Sequence, residues 1–190
     1  MSSSLDFLAD NAEAVAPKLL GCILERTLGD TKLRARIVET EAYDQTDVAS
    51  HSYNGETPRT SVMFGEPGYL YVYFTYGMHY CCNIVTGKKG SGAAVLIRAV
   101  EPLDGEVVMG ELRDGKSGVD LTNGPAKACQ ALSIDKALNG HNLSTSPLIL
   151  LPGSLSSVEE IVQTTRIGLS KGTDIPWRFY IRDNPYVSRR

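Results

Sequence analysis

The sequence predicts a single α+β domain over residues 1–190: a curved antiparallel sheet with flanking helices and one protruding β-hairpin. Three observations carry this. The chain has 190 residues, enough for one core of ordinary size and too few for two comfortable ones. Its strongest periodicity is of period two, in blocks joined by short glycine-containing turns, the pattern of antiparallel hairpins. Helix start signals stand out at two places only, and no repeat or low-complexity stretch interrupts the chain.

Asp10, with Glu13 three residues on, has the spacing of a capping box and opens a helix over 10–20 that closes at Gly21, with Pro17 placed to kink or divide it. Residues 22–27 and 32–43 read as strands around Gly29-Asp30, a first hairpin. Along the second strand, alternation places Leu33, Ala35, Ile37, Glu39, Glu41 and Tyr43 on one face and Lys32, Arg34 and Arg36 on the other. Two carboxylates then share a side with aliphatic residues, and a carboxylate that loses hydration becomes a better base near neutral pH. Residues 44–68 are polar and punctuated by Gly and Pro, an irregular stretch better explained by function than by connection.

Residues 69–76 and 79–86 form a second hairpin about Gly77-Met78. Tyr69, Tyr71 and Tyr73 fall on one face and Leu70, Val72 and Phe74 on the other, while Tyr76, Met78 and His79 crowd the tip. Residues 93–100 add a strand ending at Glu101-Pro102, and Asn123-Gly-Pro125 opens a helix through Leu132, with proline at an allowed first-turn position. Strands over 148–151, 161–167 and 177–182 complete the sheet.

The net charge of -3 speaks against a generic polyanion binder, but residues 165–190 hold six basic side chains against two acidic ones, a local +4. There is no basic n-region at the start and no apolar run near the roughly 20 residues of a membrane helix, so an intracellular protein free of membrane is expected. The four cysteines show neither a zinc spacing nor a disulfide framework and are expected as reduced, buried thiols.

Several residues admit two readings. Glu39, Glu41, Asp44, Asp47 and His51 could hold magnesium, manganese or zinc, though they lack a tight ligand signature. Tyr71 and Tyr73 suit a plain sheet. Tyr76 suits either a wedge between bases or a protein contact. Arg98, on an apolar strand, requires a buried carboxylate or a phosphate.

The ordered segments Leu19-Leu-Gly21, Val38-Glu-Thr-Glu-Ala-Tyr43, Ala49-Ser-His51, Thr57-Pro-Arg59, Met63-Phe64, Pro67-Gly-Tyr-Leu-Tyr-Val-Tyr73, Tyr76-Gly-Met78, Leu96-Ile-Arg-Ala99, Glu101-Pro102, Asn123-Gly-Pro125 and Arg166-Ile-Gly168 resemble the alkyladenine (3-methyladenine) DNA glycosylase family over nearly the whole chain. The resemblance implies a monofunctional enzyme of base-excision repair. It would flip alkylated or deaminated purines (3-methyladenine, 7-methylguanine, hypoxanthine, ethenoadenine) out of duplex DNA and hydrolyse the N-glycosidic bond without metal or organic cofactor.

By the same resemblance Glu41 is the general base, Arg98 helps position the water and Ile167 offers its carbonyl. Tyr43 and Tyr73 sandwich the base, His51 hydrogen-bonds at the pocket wall, and Asn83 opposes the exocyclic amine of guanine. Tyr76 intercalates with Met78 beside it, and Thr57 and Arg59 touch the DNA backbone. Arg98 and the C-terminal basic residues are expected on phosphates too, giving salt-steep binding. The partner is double-stranded DNA carrying a damaged purine, met by a monomer, in the cytoplasm and nucleoid of a bacterium or the nucleus of a eukaryote. His79 after the wedge and a short Tyr43-to-His51 connection depart from the family pattern. A metal-dependent nuclease and a non-catalytic damaged-DNA binder are the rival readings.

Overall fold

The computed structural model of the chain describes residues 5–75 and 77–188. Eight strands form one antiparallel sheet in the order β3 (Leu70–Thr75), β4 (His79–Thr86), β5 (Ala93–Asp104), β2 (Thr31–Tyr43), β1 (Ile23–Leu28), β6 (Leu148–Leu151), with β8 (Arg178–Ile181) pairing both β2 and β7 (Ile161–Thr164). The α+β class, the curled sheet and both hairpins agree with the sequence reading.

Strand β2 organises the molecule. Strand β5 runs along one edge of it; on the other edge β1 pairs with 31–36 and β8 with Glu39, Thr40 and Glu41. Between Ile37 and Glu39 the β2–β5 register slips by a residue, and it slips back between Glu39 and Thr40. Such a bulge turns the following side chains to the opposite face. Leu33, Ala35 and Ile37 point into the main core, but beyond the bulge Val38 and Ala42 take that role, and the Thr40 hydroxyl donates to the Ala16 carbonyl at 2.9 Å. Glu39, Glu41 and Tyr43 therefore leave the aliphatic face on which plain alternation had put them.

Helix α1 (Ala12–Lys18) is shorter than expected. Its cap is Asn11, whose side chain accepts from the Ala14 amide at 2.9 Å, whereas Asp10 pairs with Lys18 at 2.7 Å. Pro17 lies in the last turn, so it ends the helix instead of dividing it. Strand β5 continues past Val100, carrying Pro102 opposite Ala35 next to a register shift, the setting in which a strand tolerates proline. Helix α2 (Glu106–Leu112) had no start signal: its N-cap is Gly105, left-handed at φ 79°. Strand β7 stops at Thr164, releasing 165–168 as a loop.

Helices α1 and α3 (Pro125–Ala131) cover one face of the sheet over the main core. On the other face Met63 and Phe64, from a short 3-10 turn, pack with Tyr71, Val85 and Ala94. The irregular stretch 44–68 is thus folded against the sheet and makes a wall. All four cysteines are free and buried. Among the described residues no helix is long and apolar enough to cross a membrane.

Candidate active site

Beyond the bulge, Glu41 is completely buried. Three groups converge on its carboxylate: the Ile167 amide donates to Oε1 at 2.8 Å, Arg98 Nη1 stands 3.3 Å from the same oxygen, and the Tyr43 hydroxyl donates to Oε2 at 2.8 Å. Burial of the charge is therefore compensated. A carboxylate offers about four acceptor positions, so these partners leave one open.

Glu39, two residues back, is equally buried and bonded at both oxygens. Its Oε1 accepts from Arg178 Nε at 2.6 Å and Arg98 Nε at 3.3 Å, and its Oε2 from the Ser188 amide at 2.7 Å. Arg98 bridges both carboxylates and also donates from Nη2 to Ser188 Oγ at 3.4 Å. It occupies the second register slip, where β5 carries a residue more than β2.

The loop bearing Ile167 is pinned by Arg166. Its guanidinium donates to both oxygens of buried Asp47, to the Ala42 carbonyl at 3.0 Å and to the Gly172 carbonyl at 3.2 Å. It also lies 4.6 Å from the centre of the Tyr43 ring and 5.5 Å from that of Trp177. One face of Tyr43 is thus backed by a cation.

In front of Tyr43 is a cavity of about 100 Å³ lined by Tyr43, Ala49, Ser50, His51, Met63, Tyr71, Tyr73, Asn83 and Leu169. Strand β3 supplies Tyr71 and Tyr73, stacked with centroids 5.7 Å apart; the His51 ring meets Tyr73 edge-on at 4.5 Å, and its Nδ1 lies 3.1 Å from the Tyr71 hydroxyl. Asn83 is held by a 3.3 Å bond from Nδ2 to the Tyr71 carbonyl. Burial, then the nearby Arg59 guanidinium, pushes the His51 imidazole below its usual range. Burial, then the Glu41 charge, holds the Tyr43 phenol protonated far into the alkaline range. Tyr73 is pushed up as well, by burial and then by Cys81.

The structure thus gathers Glu41, Arg98, Ile167, Tyr43, His51, Tyr73 and Asn83 into one place. Tyr76 lies outside the described residues. Met78, at the hairpin tip, is 69% exposed. Arg59 is exposed and lies close enough to interact with the Tyr71 hydroxyl and with His51, and Thr57 forms a turn with Thr60 through a 2.9 Å bond from its amide to Thr60 Oγ1. Arg98, Arg166 and Arg178 are buried on carboxylates, not displayed for phosphates, which corrects the expectation for these three, while Lys171 and Arg182 stay exposed. The five candidate metal ligands disperse: Asp44 caps Thr46, Asp47 binds Arg166, and His51 meets Tyr71. Among the described residues no three His, Cys, Asp or Glu converge.

Sequence reasoning missed the roles of Asp47, Arg166, Arg178 and Ser188, which are separated from their partners by more than a hundred residues and signalled only as polar residues next to apolar ones. It also left Tyr71, a wall of the cavity, as a sheet aromatic.

Residues 6–185 match the family model described as methylpurine-DNA glycosylase. The chain is 51% identical over 185 residues to a protein of Carboxydothermus hydrogenoformans, covering 97% of both chains. It is 48% identical over 178 residues to one of Francisella tularensis, with 92% of each covered, and 46% identical over 187 residues to one of Methanoculleus marisnigri, with 97% of each covered. All three relatives carry the provisional designation 3-methyladenine DNA glycosylase.

Proposed function

The chain belongs to the methylpurine-DNA glycosylase family, and on that premise we propose that it excises alkylated and deaminated purines from duplex DNA by a monofunctional, metal-independent hydrolysis with Glu41 as general base. The observation that carries this reading is the fully buried Glu41 carboxylate, bonded through Tyr43 to the wall of an aromatic cavity.

A base inside a duplex cannot be reached, so it must leave the stack. The extruded purine enters between Tyr43 and the Tyr73–His51 side, where stacking tolerates many purine shapes. Asn83, anchored by Tyr71, opposes the exocyclic amine of guanine, so normal guanine is disfavoured, and 7-methylguanine, with the same amine, is excised because its cationic ring leaves readily. Tyr76, assigned by the family resemblance, would fill the gap left in the duplex, with the exposed Met78 alongside in sequence.

The water takes the open acceptor position of Glu41. As the bond from C1′ to the base lengthens, positive charge develops on the sugar and is stabilised by the carboxylate. The water oxygen bonds to C1′, its proton passes to Glu41, and the bonding pair departs with the base. Arg98 and the Ile167 amide hold the carboxylate in place, and the Ile167 carbonyl is assigned to the same water. A cationic alkylpurine leaves without further help; hypoxanthine needs a hydrogen bond to the base. With no lysine among these groups, an abasic site and no strand break is the product.

We take the enzyme to work as a monomer in the cytoplasm. Single-turnover release of 3-methyladenine, 7-methylguanine, hypoxanthine and ethenoadenine from duplexes orders the substrates. Release of the two methylated bases fastest agrees with this account; cleavage of the backbone, dependent on divalent metal, would support the nuclease instead.

A further inference from the structure

Resting on the reading just given, we infer that Glu39 is a positioning residue that holds back part of the Arg98 charge from Glu41 and so keeps the base strong. The geometry is a shared cation. Arg98 reaches Glu39 through Nε and Glu41 through Nη1, both at 3.3 Å, and neither carboxylate monopolises it. The shorter bonds of each acid go elsewhere: Glu39 to Arg178 at 2.6 Å and the Ser188 amide at 2.7 Å, Glu41 to Tyr43 and the Ile167 amide, both at 2.8 Å.

Two carboxylates and two guanidiniums make a buried cluster of no net charge. Besides these, the charged and titratable groups near Glu41 are Tyr43 on its own strand, Tyr73 from β3 and Arg166 from the loop after β7, with Cys81 of β4 near Arg98. If Glu39 lost its charge, Arg98 would become the counter-ion of Glu41 alone. The Glu41 anion would be more stable and a poorer proton acceptor. If Glu39 instead lost its Ser188 donor, it would draw Arg98 harder, and Glu41 would be left less compensated.

These two changes have opposite signs, which packing alone cannot produce. The test is the pH–rate profile of single-turnover base release from duplex DNA methylated with dimethyl sulfate. Both major lesions there are cationic before cleavage and leave as neutral bases, so they need no proton and the acid limb reports the base and not an acid on the leaving group. Compared with wild type, Glu39→Gln should lower the plateau roughly tenfold and move the acid limb down by about half to one pH unit. Glu39→Asp, which keeps the charge, should hold the limb near its wild-type position.

Ser188→Pro removes the amide donor to Glu39 together with the hydroxyl that accepts from Arg98, near the end of the chain, and it should move the limb up. This arm stands even if Glu39→Gln does not fold. Limbs unmoved in the folded variants would overturn the assignment of Glu39 while leaving the glycosylase intact. A wild-type protein that releases no base would overturn the functional reading itself.

Discussion

Ile167 donates its backbone amide to Glu41 Oε1 at 2.8 Å, joining residues 126 positions apart. Strand β2 brings the carboxylate and the loop after β7 brings the amide, so the site exists only when both are docked. The loop has little regular structure of its own and depends on Arg166, gripped by Asp47 and flanked by Tyr43 and Trp177.

Asp47→Ala should therefore be severe. It leaves the Arg166 guanidinium buried without its carboxylate, a loss of about 3–5 kcal/mol when one partner of a buried pair is removed. Thermal unfolding should fall by roughly 10 °C for a chain of this size. A change of less than about 1 kcal/mol would mean that the pair does not hold the loop.

His51 should titrate below about 6.5, because burial and then Arg59 both disfavour the imidazolium. NMR titration checks this, and Arg59→Ala should raise the midpoint. The linkage has a definite sign. With the folded-state value depressed, the stabilisation is present above about 6.5 and is lost as pH falls through the folded-state value.

Tyr43→Phe keeps the stacking ring and removes one donor from Glu41. That donor orients the carboxylate, so a rate loss of roughly tenfold is expected from its misplacement with the base still captured. Because the phenol is held protonated, wild-type activity should show no alkaline limb attributable to Tyr43 up to about pH 10. Fluorescence quenching by an ethenoadenine duplex separates capture from chemistry.

Met78 is 69% exposed at the hairpin tip, so little of its side chain is buried against the protein. Met78→Ser should leave unfolding within about 0.5 kcal/mol of wild type and weaken lesion-duplex binding about tenfold. The reverse pattern, lost stability with binding intact, would make the tip part of the fold.

Much of this architecture was legible from residues 22–43 and 69–86, where period-two patterns and short turns determine strands and pairing. The helix after Pro125 was equally legible, since proline marks a first turn. What failed to show was the bulge at Val38, for nothing in Ile37-Val38-Glu39 distinguishes a register slip from continued alternation. The carboxylates were thus placed on the wrong face. The end of β7 at Thr164 was hidden for a related reason: Arg166 and Ile167 have the composition of a strand, and only the distant Asp47 and Glu41 draw them out of it.

The most direct test compares wild type with Glu41→Gln in EDTA, measuring single-turnover base release from methylated duplex DNA with alkali to reveal abasic sites. The account predicts release by wild type and a loss of at least about a thousandfold in the variant, with lesion binding retained. Equal release by both proteins, or release that requires added metal, would contradict it.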